Sequence, residues 1–180
     1  MQVDTRLLIA LLPAVFMLHD FEEIIMFRPW LDKNRTEIAQ RFPRLDRLLR
    51  RYHDKLSTSA FAVGVLHEFT ILSAITYVSL HANSYRWWFA VFMAFALHLL
   101  VHVAQWVAFG RYVPFIITSI AALPYCCYTF LQFSASTVMT WIQMTQWTII
   151  GLVLTVLSFG SAFALASAFE RWKTRTYLRQ

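Results

Sequence analysis

The chain has 180 residues, 58% of them hydrophobic and 14% charged, with a formal net charge of +6 and a mean hydropathy of +0.51. Soluble domains sit nearer ~45–50% apolar and ~25% charged, so composition excludes an ordinary soluble globule and points to a membrane protein. Four glycines and no alternating ten-residue strand pattern exclude a transmembrane β-barrel, and the expected fold is an all-α polytopic membrane bundle forming one domain over residues 1–180.

The hydrophobic pattern predicts about five transmembrane helices. The first covers about 7–27; Asp20, Glu22 and Glu23 stand where a cleaved signal peptide would need small residues. Residues 28–56 follow as a basic loop. Within it Pro43 suits the first turn of a helix, and Leu45, Leu48, Leu49, Tyr52 and Leu56 recur at helical spacing among Arg44, Arg47, Arg50, Arg51 and Lys55. That pattern predicts an amphipathic helix at the membrane interface. His53 in this segment and His81 in an outer loop are not counted as ligands.

The remaining spans are expected at about 57–80, 87–109, 112–133 and 141–169. Pro114 and Pro124 tilt, kink or begin the fourth. Cys126 and Cys127, adjacent in that span, lack metal spacing and read as packing residues. In the fifth, Ser158 with Ala162 and Gly160 with Ala164 provide small-xxx-small spacing for helix contact. Trp87, Trp88 and Trp141 fall at one set of boundaries and Trp30, Trp106 and Trp172 at the other, as an aromatic belt requires, while Trp147 does not fit.

Fourteen of the sixteen basic residues lie in the 28–56 loop, at Arg111 or in the tail Arg171, Lys173, Arg175 and Arg179; Arg6 and Arg86 fall on the opposite side. The positive-inside rule then places the N-terminus outside and the C-terminus in the cytoplasm, in a multi-pass protein of the cell inner membrane. The same distribution explains the positive charge as attraction to anionic lipid, and no nucleic-acid partner is expected.

Seven metal-competent side chains interrupt this apolar background: His19, Glu22, Glu23, His67, Glu68, His98 and His102. An ionisable group in hydrocarbon costs at least ~2.5–3.5 kcal/mol, so each is a candidate functional residue. Measured from the predicted cytoplasmic boundaries at ~1.5 Å per residue, Glu22 and Glu23 lie roughly 6–8 Å deep, His102 and His19 roughly 10–12 Å, and His67, Glu68 and His98 roughly 15–17 Å. All seven share one half of the bilayer. His19, Glu22 and Glu23 lie on one helical face at i, i+3 and i+4, and His98 with His102 has the i, i+4 spacing of paired metal ligands. Two adjacent carboxylates repel unless a cation or a shared proton intervenes. Asp20 lies off the His19 face and is not counted. Gln105 is one turn beyond His102 and is a candidate partner for it.

Four imidazoles and three carboxylates suit zinc, iron or manganese, and the absence of thiolate argues against copper(I). Either one ion held by three or four of these ligands or a two-metal site is permitted. Glu23 or Glu68 is the candidate catalytic base.

The string His19-Asp20-Phe21-Glu22-Glu23 resembles the signature of the bacterial HXXEE family of integral membrane proteins. His67-Glu68 and His98-x-x-x-His102 fall where that family's further polar motifs are expected, so the resemblance spans roughly residues 7–170. It implies a membrane protein with a metal site and names no substrate. Adjacent glutamates with histidines on separate helices also resemble CAAX-type intramembrane proteases. Here, however, Arg28 follows the glutamate pair after four residues rather than three, and the Phe-x-x-x-His element has no match at His67 or His98.

The leading expectation is a metal-dependent hydrolase acting near the cytoplasmic side on a small lipid-like or lipid-linked substrate, with membrane lipids as surroundings. A di-iron oxidase, hydroxylase or desaturase is an alternative reading, and a proton or metal-ion transporter another. A purely structural polar cluster is the remaining one.

Overall fold

The computed structural model describes residues 5–52, 56–136 and 138–177. The side chains of Arg51 and Tyr52, and the residues His53, Lys55 and Arg179 discussed above, lie outside this description. Six helices are present among the described residues: α1 (Thr5–Arg41), α2 (Pro43–Tyr52), α3 (Thr58–Ala82), α4 (Arg86–Phe109), α5 (Ile116–Ala135) and α6 (Trp141–Tyr177). The chain is all-α, and α3 to α6 are each long and apolar enough to cross a membrane. The helix α1 is long enough too, but Asp20, Glu22 and Glu23 interrupt its apolar stretch.

Residues 28–41 were expected to lie in the loop and instead continue α1 through Pro29. The reason is packing. Leu31 and Ile38 are fully buried against Phe109, Val113 and Ile116, with Trp30 and Phe42 alongside. The Trp30 indole donates to Tyr112 O at 3.0 Å, and Arg41 donates to the carbonyls of Phe109 and Ala108 at 3.0 and 3.2 Å, closing the C-terminus of α4. Arg111 pairs with Glu37 across the same junction. The next helix, α2, does begin at Pro43; Leu49 turns inward while Leu45 and Leu48 remain exposed.

The helices form a ring in which α1 contacts α3, α3 contacts α6, α6 contacts α4, α4 contacts α5, and α5 returns to α1. One end is filled by an aromatic core of Trp88, Phe89, Phe92 and Phe133 with Ile9 and Leu12. Trp88, expected in the aromatic belt, is fully buried, stacks on Phe92 at 5.0 Å and donates to Ile9 O at 3.2 Å. Trp147, the residue outside the belt pattern, packs edge-on to Trp87.

The same end carries Arg6, which donates to Asn83 and Leu80 O. The opposite end carries the α1–α2 corner, the α4–α5 turn, and Glu170 and Lys173 of α6, both bonded to Ser57 at the start of α3. The polar residues lie between these ends.

Of the two small-residue pairs expected on α6, Ser158 with Ala162 faces α3, and Gly160 with Ala164 does not. Ala162 and Ala166 are buried, with Gly64 of α3 opposite them. Gly151 meets Ala90 of α4, where an added Cβ would come 2.2 Å from Ala90 O. Gly160, by contrast, faces open space, and Ala164 is exposed. This pair does not mediate packing within the chain, because the α3 and α4 contacts use the other faces of α6.

Candidate metal centre

Helix geometry brings His19 and Glu23 together on α1, and His98 and His102 on α4. The packing of α1, α4 and α5 then joins the two pairs. One donor atom from each residue falls within a group whose members all lie within 4.8 Å of one another. Glu23 Oε1 is the focus: His102 Nε2 lies 3.0 Å away, His98 Nε2 3.4 Å and His19 Nε2 3.5 Å. The Nε2 atoms of His98 and His102 are 2.8 Å apart.

Two ring nitrogens at that distance need a proton or a cation between them. The Nε2 of His19 is buried and has no hydrogen-bond partner. A tetrahedral ion with ligands at about 2.0–2.1 Å would put donor atoms about 3.3–3.4 Å apart; the Glu23–histidine and His98–His102 separations of 2.8–3.5 Å bracket that edge, and His19 lies within 4.8 Å of the other two imidazoles. The donor set therefore fits a divalent ion such as zinc, manganese or iron.

The outer nitrogens specify the required tautomers. Gln105 Oε1, an acceptor, lies 2.9 Å from His102 Nδ1, so this nitrogen donates and leaves Nε2 with a free lone pair toward the cluster. The relay behind His19 is longer. Thr118 Oγ1 donates to Glu22 Oε2 at 2.6 Å, which commits its proton and leaves a lone pair for His19 Nδ1 at 3.0 Å. Glu22 also accepts from Thr118 N at 2.9 Å and the Tyr112 hydroxyl at 3.0 Å. Glu22 thus acts on the cluster through Thr118 and His19, and the neighbouring Glu23 supplies the inward carboxylate.

The enclosure is aromatic. Phe115 lies 4.4 Å from His102 between ring centroids, and Phe95 lies 5.8 Å from His19. Phe115 holds φ at +79° at the start of α5, an uncommon conformation for a residue with a side chain. Burial between His102 and Phe27 overdetermines that position. His98 is the more open imidazole, with 30% side-chain exposure, and Phe159 of α6 lies beside it.

His67 and Glu68 are not part of the four-residue group. They form a second polar patch against α6: Glu68 accepts from Ser158 at 2.8 Å on both oxygens, His67 Nδ1 lies 3.3 Å from Glu68 Oε1, and His67 Nε2 lies 3.3 Å from Ser161 Oγ. Asp20, the acid that follows His19, is buried at 5% exposure and is not part of the four-residue group.

The position of His19 and Glu23 on one face, the His98/His102 pair and Gln105 are all legible from local spacing. Thr118, Tyr112, Phe115, Ser158 and Ser161 carry no local signal, since each meets its partner only through tertiary packing.

A family model described as "Protein of unknown function with HXXEE motif" matches residues 10–129, a stretch that contains all four cluster residues and Thr118. The chain belongs to the HXXEE family. In the HXXEE motif of this chain, His19 and the second glutamate, Glu23, face the cluster, while the first, Glu22, orients the histidine through Thr118. The match stops before α6, which supplies Ser158 and Ser161. Comparison with the curated proteins and with the solved structures finds no match.

Proposed function

We propose that this HXXEE protein is an integral membrane metal-dependent hydrolase acting on a lipid or lipid-linked substrate near the cytoplasmic face. The observation that carries the reading is the convergence of three imidazole Nε2 atoms on one carboxylate oxygen inside an otherwise apolar bundle. His19, Glu23, His98 and His102 would hold the ion. Such an ion supplies Lewis-acid polarisation and lowers the pKa of water to about 7.

Glu22, Thr118 and Gln105 orient the imidazoles, and the rings of Phe95 and Phe115 limit water around them. Glu68, outside the four-residue group and held by Ser158, is the carboxylate available to take a proton, with His67 beside it. A small recess between α1 and α3, lined by Glu23, Ile24, Phe27, Arg28, Thr58 and Phe61, reaches Glu23 with room for about one water.

The topology that accompanies this reading has α1 as a fifth span, with its N-terminus outside and the C-terminus in the cytoplasm. It is supported by the position of Arg41, Arg111 and Lys173 at one end of the bundle. The exposed Leu45 and Leu48 suit α2 to lie on the cytoplasmic leaflet. Transport fits less well: toward the outer side Thr76 is buried without a hydrogen-bond partner and Tyr77 is exposed on the bundle surface, too few polar groups to form a path.

The test is elemental analysis of the detergent-purified protein beside a His98→Ala/His102→Ala variant. Near-stoichiometric zinc or manganese that disappears in the variant, with both proteins monodisperse, supports the reading. Iron with an oxygen-sensitive spectrum would move the assignment to an oxidase, and no metal after reconstitution would remove the metal-dependent reading.

A further inference from the structure

Outside the metal centre, α3 and α6 join their polar residues into one connected set. Gly64 of α3 faces Ala162 and Ala166 of α6, where an added Cβ would lie 3.7 Å from Ala162 O. This close approach lets the short side chains of Ser158 and Ser161 reach the next turn of α3, which carries His67 and Glu68. Ser158 Oγ lies 2.8 Å from both oxygens of Glu68 and holds the carboxylate in place. Glu68 Oε1 lies 3.3 Å from His67 Nδ1, and His67 Nε2 lies 3.3 Å from Ser161 Oγ.

A carboxylate can only accept, so Glu68 favours the proton on His67 Nδ1 and leaves a lone pair on Nε2 facing the Ser161 hydroxyl. That hydroxyl has a second acceptor, Ser158 O at 2.9 Å, and turning its proton to Nε2 frees Oγ to attack. The order hydroxyl, imidazole, carboxylate is that of an activated serine nucleophile. Separations of 3.3 Å are the loose form such contacts take before substrate binds. The side chains of His67 and Glu68 are 21% and 18% exposed, whereas Ser161 opens to the outside of the bundle. A clamp between two helices needs no such opening. Leu157 and Leu165, about one turn to either side of Ser161, are exposed, and Gly160 beside it faces open space. The hydroxyl thus stands on an apolar, unobstructed strip of a helix apolar enough to cross a membrane.

We propose that Ser161, His67 and Glu68 form a nucleophilic triad that cleaves long-chain acyl esters through an acyl-enzyme on Ser161. The inference goes beyond the metal centre: none of its four residues takes part, and the step needs no ion. Ser161 Oγ forms a bond to the acyl carbon while its proton passes to His67 Nε2. The ester C–O bond breaks, and the departing alkoxide takes that proton and leaves as the alcohol. A water deprotonated by the same nitrogen then attacks the acyl carbon. The Oγ–carbon bond breaks, Oγ regains its proton from His67, and the fatty acid is released. Glu68 is a positioning residue: it holds the imidazole tautomer and offsets the charge that His67 carries midway. The exposed leucines give the chain an apolar bed, which commits the substrate to a fatty-acyl ester.

The experiment treats the full-length, detergent-purified protein with a long-chain alkyl fluorophosphonate in the presence of EDTA, and follows the adduct by intact mass and peptide mapping. The chelator separates this outcome from the metal-dependent reading. The expected result is an adduct on Ser161, with Ser59 and Ser84, which are also exposed, left unmodified. Ser161→Ala should abolish it, and His67→Gln should slow it about 10²–10⁴-fold, the contribution of a positioned base; His67→Asn serves in its place should that variant fail to fold. Glu68→Gln, with unchanged melting, should slow labelling as well. No adduct on Ser161, or equal modification of Ser59 and Ser84, overturns the nucleophile and leaves the metal centre standing. Labelling at the wild-type rate without His67 overturns the base, and at the wild-type rate in Glu68→Gln removes the carboxylate from the set.

Discussion

Thr118→Val removes one hydroxyl and preserves shape, and the geometry sets what should follow. Thr118 Oγ1 lies 3.0 Å from His19 Nδ1 and 2.6 Å from Glu22 Oε2. After the substitution Glu22 keeps the bonds from Thr118 N at 2.9 Å and Tyr112 at 3.0 Å, so the carboxylate remains satisfied. His19 Nδ1, in a fully enclosed side chain, loses its acceptor. A buried donor left unpaired costs about 1–3 kcal/mol. The ring can avoid that cost by moving its proton to Nε2, but Nε2 then points a donor at Glu23 and no longer offers a lone pair to an ion. Either route weakens binding by the amount expected for a lost outer partner of a metal-ligating histidine, about 10–100-fold, or about 1.4–2.8 kcal/mol. The assay is metal titration against a competing chelator in detergent, with Thr118→Ser as the restoring control. A folded Thr118→Val protein with wild-type affinity would refute the relay from Glu22 to His19.

The two glutamates of the motif should separate in the same assay: Glu23→Gln is expected to abolish stoichiometric binding, whereas Glu22→Gln should weaken it about 10–100-fold because Glu22 acts through Thr118. Equal losses in the two variants would contradict that division. On the packing side, Gly151→Ala forces a Cβ to within 2.2 Å of Ala90 O and should destabilise the bundle by about 1–3 kcal/mol. Gly160→Ala meets nothing within 4 Å and should leave thermal unfolding in detergent unchanged; equal melting of the two variants would count against the α4–α6 contact.

The chain's local order already contained much of the centre. A helical period puts His19 with Glu23 and His98 with His102 on common faces whatever the helices later touch, and it puts Gln105 within reach of His102. Long apolar runs likewise specified α3 to α6, because length and hydropathy are properties of each segment alone. Tertiary structure decided what depends on neighbours. Glu22 and Glu23 are about 100° apart on α1, and only the packing against α4 and α5 turns Glu23 to the histidines and Glu22 to Thr118, 96 positions away. The same dependence extends α1 to Arg41, where Leu31 and Ile38 find Phe109 and Val113. It also buries Asp20, which spacing on α1 set apart from His19. Spacing along one helix determines which residues share a face, but which face turns inward is decided by the helices packed around it.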